Sequence, residues 1–218
     1  MKEVGFLLFV IFVAGCSFED DIDDPKVSWC IDGDNQKIEI PVIHGGNSLD
    51  NDGSVTVIVK SSCLDPVSGI DPFSNPYRDE DGVNMRFCLP DWSDCGEDAN
   101  AYMTIQNDKD KLALQSWHRI ASGKRLVRSG EDYRVYEQVR IGQGRRKINS
   151  YFVGSGGEFV VACSGSPDYP RNCLFVGSSQ VNPLVYRLKT HGKTNLDWVR
   201  VHQKVSGFLR EAAVADVD

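Results

Sequence analysis

Tyr133-Arg134-Val135-Tyr136-Glu137-Gln138-Val139-Arg140-Ile141 and Lys147-Ile148-Asn149-Ser150-Tyr151-Phe152-Val153 flank Gly142-Gln143-Gly144. Two runs rich in β-branched and aromatic residues around a glycine-bearing turn specify a β-hairpin. Its tip carries Arg145, Arg146 and Lys147 in succession. A solvated tip is the plain reading of three adjacent cations, and a docking site for an acidic partner or a lipid headgroup is the sharper one.

Downstream, short apolar runs at Glu158 to Cys163, Cys173 to Gly177 and Leu184 to Leu188 continue the strand pattern. Upstream, Lys37 to Ile43, Ser54 to Ser61, Val83 to Leu89 and Ala101 to Gln106 have the same character. Val55, Val57 and Val59 alternate with Thr56, Ile58 and Lys60, so the three valines share one face of an extended strand. Gly45-Gly46 and Asp52-Gly53 supply turn chemistry. Asp50-Asn51-Asp52-Gly53 has the opening of a calcium loop but lacks the later ligands and the bidentate glutamate, so it reads as a tight turn.

The stretch from Cys63 to Val83 contains Pro66, Pro72 and Pro76 and ends near Asp79-Glu80-Asp81. Prolines lack ladder donors, which predicts a large surface loop in place of a strand. Asp79, Glu80 and Asp81 are one candidate partner-binding cluster, and Arg145, Arg146 and Lys147 are the second. Lys111 to Ile120 fits either helix or strand by periodicity. At the C-terminus, Thr194-Asn195-Leu196-Asp197 has capping-box form, and Trp198, Val201, Val205, Phe208, Leu209 and Ala212 recur at helical spacing. That predicts one amphipathic helix packed on the sheet. The fold class is therefore α+β and β-rich, with antiparallel sheet(s), a C-terminal amphipathic helix and disulfide staples.

The chain has 218 residues, 41% of them hydrophobic, and a net charge of -7. The charge is unevenly distributed. Residues 18–110 hold 21 Asp and Glu against 6 Lys and Arg, whereas 119–147 hold 9 Lys and Arg against 3 Asp and Glu. Two explanations stand side by side: steering of a charged partner, or internal packing of the acidic half beside the basic hairpin. Overall acidity argues against nucleic acid.

Cys16 ends Val13-Ala14-Gly15-Cys16, directly after an apolar run from Val4 to Val13. A spanning helix needs roughly 20 apolar residues, so this run reads as a cleaved export signal. The arrangement resembles the lipobox of bacterial lipoproteins. That resemblance implies a signal peptide over 1–15, diacylglycerol on the Cys16 thiol, and acylation of the new amine by a fatty acid such as palmitate. With Ser17 after the cysteine, the family's sorting pattern implies the outer membrane, with the domain facing the periplasm. An acidic tether, 16–25, would precede a single periplasmic binding domain, 26–218.

Setting Cys16 aside leaves an even set: Cys30, Cys63, Cys88, Cys95, Cys163 and Cys173. An even count in an exported chain suggests disulfides, although six cysteines allow many connectivities. Loop lengths favour Cys88 with Cys95 and Cys163 with Cys173, which leaves Cys30 with Cys63. No CxxC spacing or Cys/His cluster points to a metal. HExxH, GxSxG and a phosphate-binding glycine loop ending in Gly-Lys-Ser/Thr do not occur. His44, His118, His191 and His202 are scattered singly. No catalytic residue, metal or cofactor is assigned, and a hydrolase would require an unrecognised site.

The lipobox, the cysteine-stapled β-rich body, and a terminal pattern of Cys163, Cys173, Leu184-Val-Tyr-Arg-Leu188 and Leu196-Asp-Trp-Val-Arg-Val201 together resemble immunity lipoproteins that neutralise type VI secreted phospholipase toxins. The similarity covers the anchor and about the last 60 residues. It implies a noncatalytic periplasmic inhibitor whose protein partner is a secreted lipase toxin and whose membrane contact is the lipid anchor. The alternative is an envelope-assembly or scaffold lipoprotein that binds other membrane components.

Overall fold

The computed structural model describes residues 30, 33–44, 48–65, 78–79, 82–89, 92, 98–142, 145–179, 183–192, 194 and 196–214. Cys16, the tether, Glu80, Asp81 and Cys95 lie outside the described residues. In chain order the elements are β1 Asn35–His44, β2 Ser48–Lys60, β3 Arg78–Asp79, β4 Gly82–Phe87, β5 Ala101–Asn107 and α1 Leu112–Ser122. They are followed by β6 Arg125–Ser129, β7 Tyr133–Gly142, β8 Arg145–Gly154, β9 Phe159–Ser164, β10 Arg171–Ser178, β11 Leu184–Thr190, α2 Trp198–Ala212 and β12 Ala213–Val214.

The strands form one sheet in the order β12-β2-β1-β5-β11-β10-β9-β8-β7-β6, with β4 also pairing β5 and β3 pairing β4. Pairing is antiparallel except for a single parallel bridge, Val42 to Asn107, which joins β1 to β5. That bridge is held by a buried amide: Asn107 Nδ2 donates to the carbonyls of Ile40 and Gly53. Both carbonyls lie beside a register shift, where Ile40 pairs Val55 but Val42 pairs Asp50. The expected turn at Asp50 to Gly53 is thus an irregular step within one long strand. Gly53 there takes φ +99°, a conformation that favours glycine.

Alternation along the strands sends one set of side chains to each face. On one face, Phe87, Met103, Ile105, Tyr186, Leu188, Phe175, Phe159, Val161 and Phe152 meet Trp198, Val201, Val205, Phe208, Leu209 and Ala212 of α2 in the main core. Val57 and Val59 of β2 are buried in the same core and Val55 packs against it, as their alternation predicted. All six residues of the expected helical stripe are buried. The cap is displaced from expectation. Asp197, not Thr194, is the N-cap, its carboxylate accepting from the N–H groups of Val199 and Arg200 at 3.1 and 3.2 Å. Thr194 is buried and shares a hydrogen bond with Thr190.

The opposite face is covered by α1 over β8 to β11. Leu114 and Ala121 pack on Tyr151, Val160, Val176 and Val185, with Trp117 and Tyr136 at the margin. The undecided segment Lys111 to Ile120 is therefore helical. Periodicity alone missed its start signal: Asp108 sits ahead of the helix and its two carboxylate oxygens accept from Leu112 N and Ala113 N, both at 3.0 Å. His118 Nε2–H donates to the Gly157 carbonyl at 2.8 Å and ties the far end of α1 to the turn after β8.

Two disulfides occur among the described residues, Cys30–Cys63 and Cys163–Cys173, and Cys88 is also oxidised. Cys163 and Cys173 are direct cross-strand partners on β9 and β10. The stapling of a β-rich body agrees with the expectation from cysteine count.

Candidate partner-binding site

The hairpin that opened the sequence extends past the strands on either side of it. Strand β6 pairs β7 only from Arg134 to Glu137, and β9 pairs β8 only from Asn149 to Val153. Beyond those limits, Val139 to Gly142 and Arg145 to Ile148 have only each other as strand partners. One extra tie reaches them, from Gly165 N–H to the Ile148 carbonyl at 2.8 Å. Four residues at about 3.3 Å each make a finger on the order of 13 Å long.

Register sorts the finger into two faces. Arg140 lies opposite Lys147 and Gly142 opposite Arg145, on the face shared with α1. Val139 lies opposite Ile148 and Ile141 opposite Arg146, on the other. Ile141 is 85% exposed and Val139 40%. Arg140, Arg145, Arg146 and Lys147 are exposed, and among the described residues they enter no ion pair. On the edge strand beside the hairpin, two cations are engaged: Arg125 pairs with Glu137, and Arg128 with Asp168 at 3.1 Å. The four cations of the tip stand together without such partners.

Arg145 and Arg146 were expected in the turn, but they begin β8, because the ladder continues to Gly142 opposite Arg145. Pairing fixes their directions and separates Arg146 from its two neighbours. Val139 and Ile141 were seen only as strand formers. Their exposure was not legible, since it depends on how far β6 and β9 extend alongside.

The acidic candidate is placed elsewhere. Asp79 ends the two-residue strand β3, which pairs Arg78 with Val83 and Asp79 with Gly82. This short strand corrects the expectation of an irregular loop at that point. Gly82 has φ +146°, and a Cβ there would meet the Ile105 carbonyl oxygen at 1.9 Å, so only glycine passes so close to β5. The sheet order separates this acidic hairpin from the basic one by β5, β11, β10 and β9.

One polar cluster lies inside the main core. The Tyr186 hydroxyl and His202 Nδ1 share a hydrogen bond of 2.7 Å, and His202 Nε2 faces the Ser206 hydroxyl at 3.5 Å. Burial pushes the Tyr186 phenol well above its usual range, with the nearby Glu158 carboxylate adding to the effect. Burial lowers His202, and Glu158 opposes that shift. Both groups are therefore neutral at physiological pH. Phe159 and Phe175 lie against the His202 ring, at 5.4 and 6.5 Å between centroids. Enclosed in this way, the cluster anchors α2 to the sheet.

No family model matches the chain, and no curated protein matches it. Among solved structures, Smlt3025, an immunity protein of the Stenotrophomonas maltophilia type IV secretion system, is similar to it. The TM-score is 0.51 with 13% sequence identity, over 74% of this chain and 90% of that one. At that identity the likeness is one of fold. It spans most of both chains, so the comparison concerns the sheet as a whole and not a local motif.

Proposed function

We propose that this chain is a noncatalytic immunity protein that binds and inhibits a secreted antibacterial toxin. The observation that carries the reading is the projecting finger, whose four cations lack carboxylate partners among the described residues and which exposes Val139 and Ile141. An apolar patch ringed by unpaired charge has the make-up of a protein-binding surface. The shared fold with a secretion-system immunity protein supports it. A disulfide-braced scaffold loses little conformational freedom on binding.

The expected toxin class is a phospholipase, following the sequence resemblance to type VI immunity lipoproteins. The structural neighbour belongs to a type IV system, and the inhibitory mode does not depend on which machine delivers the toxin. Acylation at Cys16 would station the domain at the outer membrane, where a lipase acts. The finger, Arg145, Arg146 and Lys147 included, is the favoured contact, and the acidic cluster Asp79, Glu80 and Asp81 is a second surface.

The test is periplasmic coexpression with a toxin-like protein captured by the soluble domain, scored by survival and by affinity of the purified pair. Rescue that fails when Arg140, Arg145, Arg146 and Lys147 are reversed to glutamate is expected. Survival unaffected by this chain, together with capture of envelope-assembly components alone, would replace the reading with that of a scaffold lipoprotein. Radiolabelled palmitate should enter the wild type and not Cys16→Ser.

A further inference from the structure

The face that carries α1 changes character where that helix ends. Two rows of side chains cross β4, β5 and β11 on this face: Arg86, Tyr102 and Lys189 in one, Asn84, Thr104 and Arg187 in the next. Their neighbours on the opposite face, such as Met85, Met103 and Leu188, are buried in the main core. The same two rows continue through Leu174 and Val176 of β10 into the apolar patch under α1. A cationic floor thus begins where an apolar one stops.

Both arginines lie down on this floor. Nε of Arg86 and Nε of Arg187 are buried, and each is without a hydrogen-bond partner. Among the described residues the carboxylate near this pair is Asp65, whose oxygen stands 3.9 Å from Arg86 Nη1, beyond a good hydrogen bond. The Arg187 side chain enters no ion pair or hydrogen bond among the described residues. Nε–H and the adjacent Nη–H form the edge with which a guanidinium grips an oxyanion through two parallel hydrogen bonds. A buried donor left unmatched costs free energy, so two such edges on one floor call for an acceptor with several oxygens.

Adjacent strands lie about 4.8 Å apart and residues i and i+2 about 6.8 Å, so the two arginine Cα atoms are on the order of 12 Å apart across β5. Each arginine side chain is long enough to cover half of that span, so one anion held over β5 lies within reach of both guanidinium groups. Lys189, opposite Tyr102 and two residues from Arg187, adds a third positive charge. Thr104 Oγ1 donates to Asn84 Oδ1 at 2.7 Å, so the polar row between the arginines is already ordered. We propose that Arg86 and Arg187, with Lys189, form a binding site for a phosphate-type oxyanion on the open part of this face. The site is separated from the finger by β10 and β9 and does not depend on the toxin reading.

The probe is inorganic phosphate, titrated into the purified full-length chain with chloride at matched ionic strength as control, read by amide chemical shifts. Saturable shifts at residues 84–86, 102–104 and 187–189 are expected. Arg187→Gln and Arg86→Gln should each weaken binding on the order of tenfold, and Arg140→Gln on the finger should not. Should Arg187→Gln fail to fold, Arg187→Lys keeps the charge, loses the two-pronged edge, and is likewise expected to bind less tightly. Asp65→Asn removes the nearby negative charge and should tighten binding. Vesicles containing phosphatidylglycerol distinguish the source: binding lost in both arginine variants assigns a lipid headgroup, and phosphate binding without vesicle binding assigns a free anion. Shifts that match chloride, or equal affinity in Arg187→Lys, would overturn the site. Equal saturation by glutarate would overturn the phosphate assignment in favour of an acidic protein segment.

Discussion

His202 is the residue whose chemistry most sharply tests the core. It lies between Tyr186 and Ser206, with Glu158 the nearby carboxylate and Phe159 and Phe175 against its ring. Burial depresses its folded pKa below the unfolded value near 6.5. The unfolded chain therefore binds more protons between those two values. His202's contribution is fully present above about 6.5 and is lost as pH falls toward the depressed folded value, at no more than about 1.4 kcal/mol per pH unit. Tyr186 works in the opposite direction: its folded pKa is raised, so its contribution is present below about 10 and fades above it. Urea unfolding between pH 7.5 and 5 should show a shallower loss of stability in His202→Gln than in wild type. Equal slopes would mean that the histidine titrates normally. Gly177 sits opposite Tyr186 in the β10–β11 ladder. A Cβ there would meet the Tyr186 hydroxyl at 2.4 Å, so Gly177→Ala forces the phenol off His202 and should cost about 1–3 kcal/mol by chemical denaturation.

At the scale of elements, α2 depends on its cap as well as on its stripe. Asp197→Ala removes the acceptor for Val199 and Arg200 N–H and should destabilise by about 1 kcal/mol, while Thr194→Ala should leave helix nucleation intact. Thermal melts of the two variants separate these roles, and an unchanged midpoint in Asp197→Ala would contradict the cap. The sequence showed the stripe clearly because six apolar residues at helical spacing admit one conformation. It did not show the cap, because Thr194 and Asp197 are both good capping residues and only the Thr190 contact draws Thr194 into the interior. Likewise the valines of β2 revealed their face, whereas the register step at Pro41 depends on Asn107, far away in the chain. The exposed strand β6 was missed, since Arg125-Leu126-Val127-Arg128-Ser129 has no alternation to mark it. Local pattern reports what a segment buries, and here β6 buries nothing.

At the scale of the whole molecule, sheet order decides between the two explanations of the charge asymmetry. The acidic segments supply β1 to β5 and the basic stretch supplies β6 to β8, which close the far end of the sheet. Among the described residues no ion pair joins the two groups, so the tip cations keep their field. Composition could not show this, because strand order depends on pairings between distant parts of the chain. A protein of net charge -7 that sets four unpaired cations together at one end of its sheet presents a charge dipole to an approaching partner. Association with an acidic toxin surface should therefore slow steeply as salt rises, since the screening length falls to about 8 Å at physiological ionic strength. Neutralising Arg140, Arg145, Arg146 and Lys147 to glutamine should lower the association rate on the order of tenfold at low salt and flatten its salt dependence, with less effect on dissociation. Ile141→Asp should act the other way, raising the dissociation rate through loss of apolar contact at the most exposed large hydrophobic side chain of the finger. Stopped-flow association measured across a salt series resolves the two effects. A salt slope that survives neutralisation of all four cations would move the steering surface away from the finger.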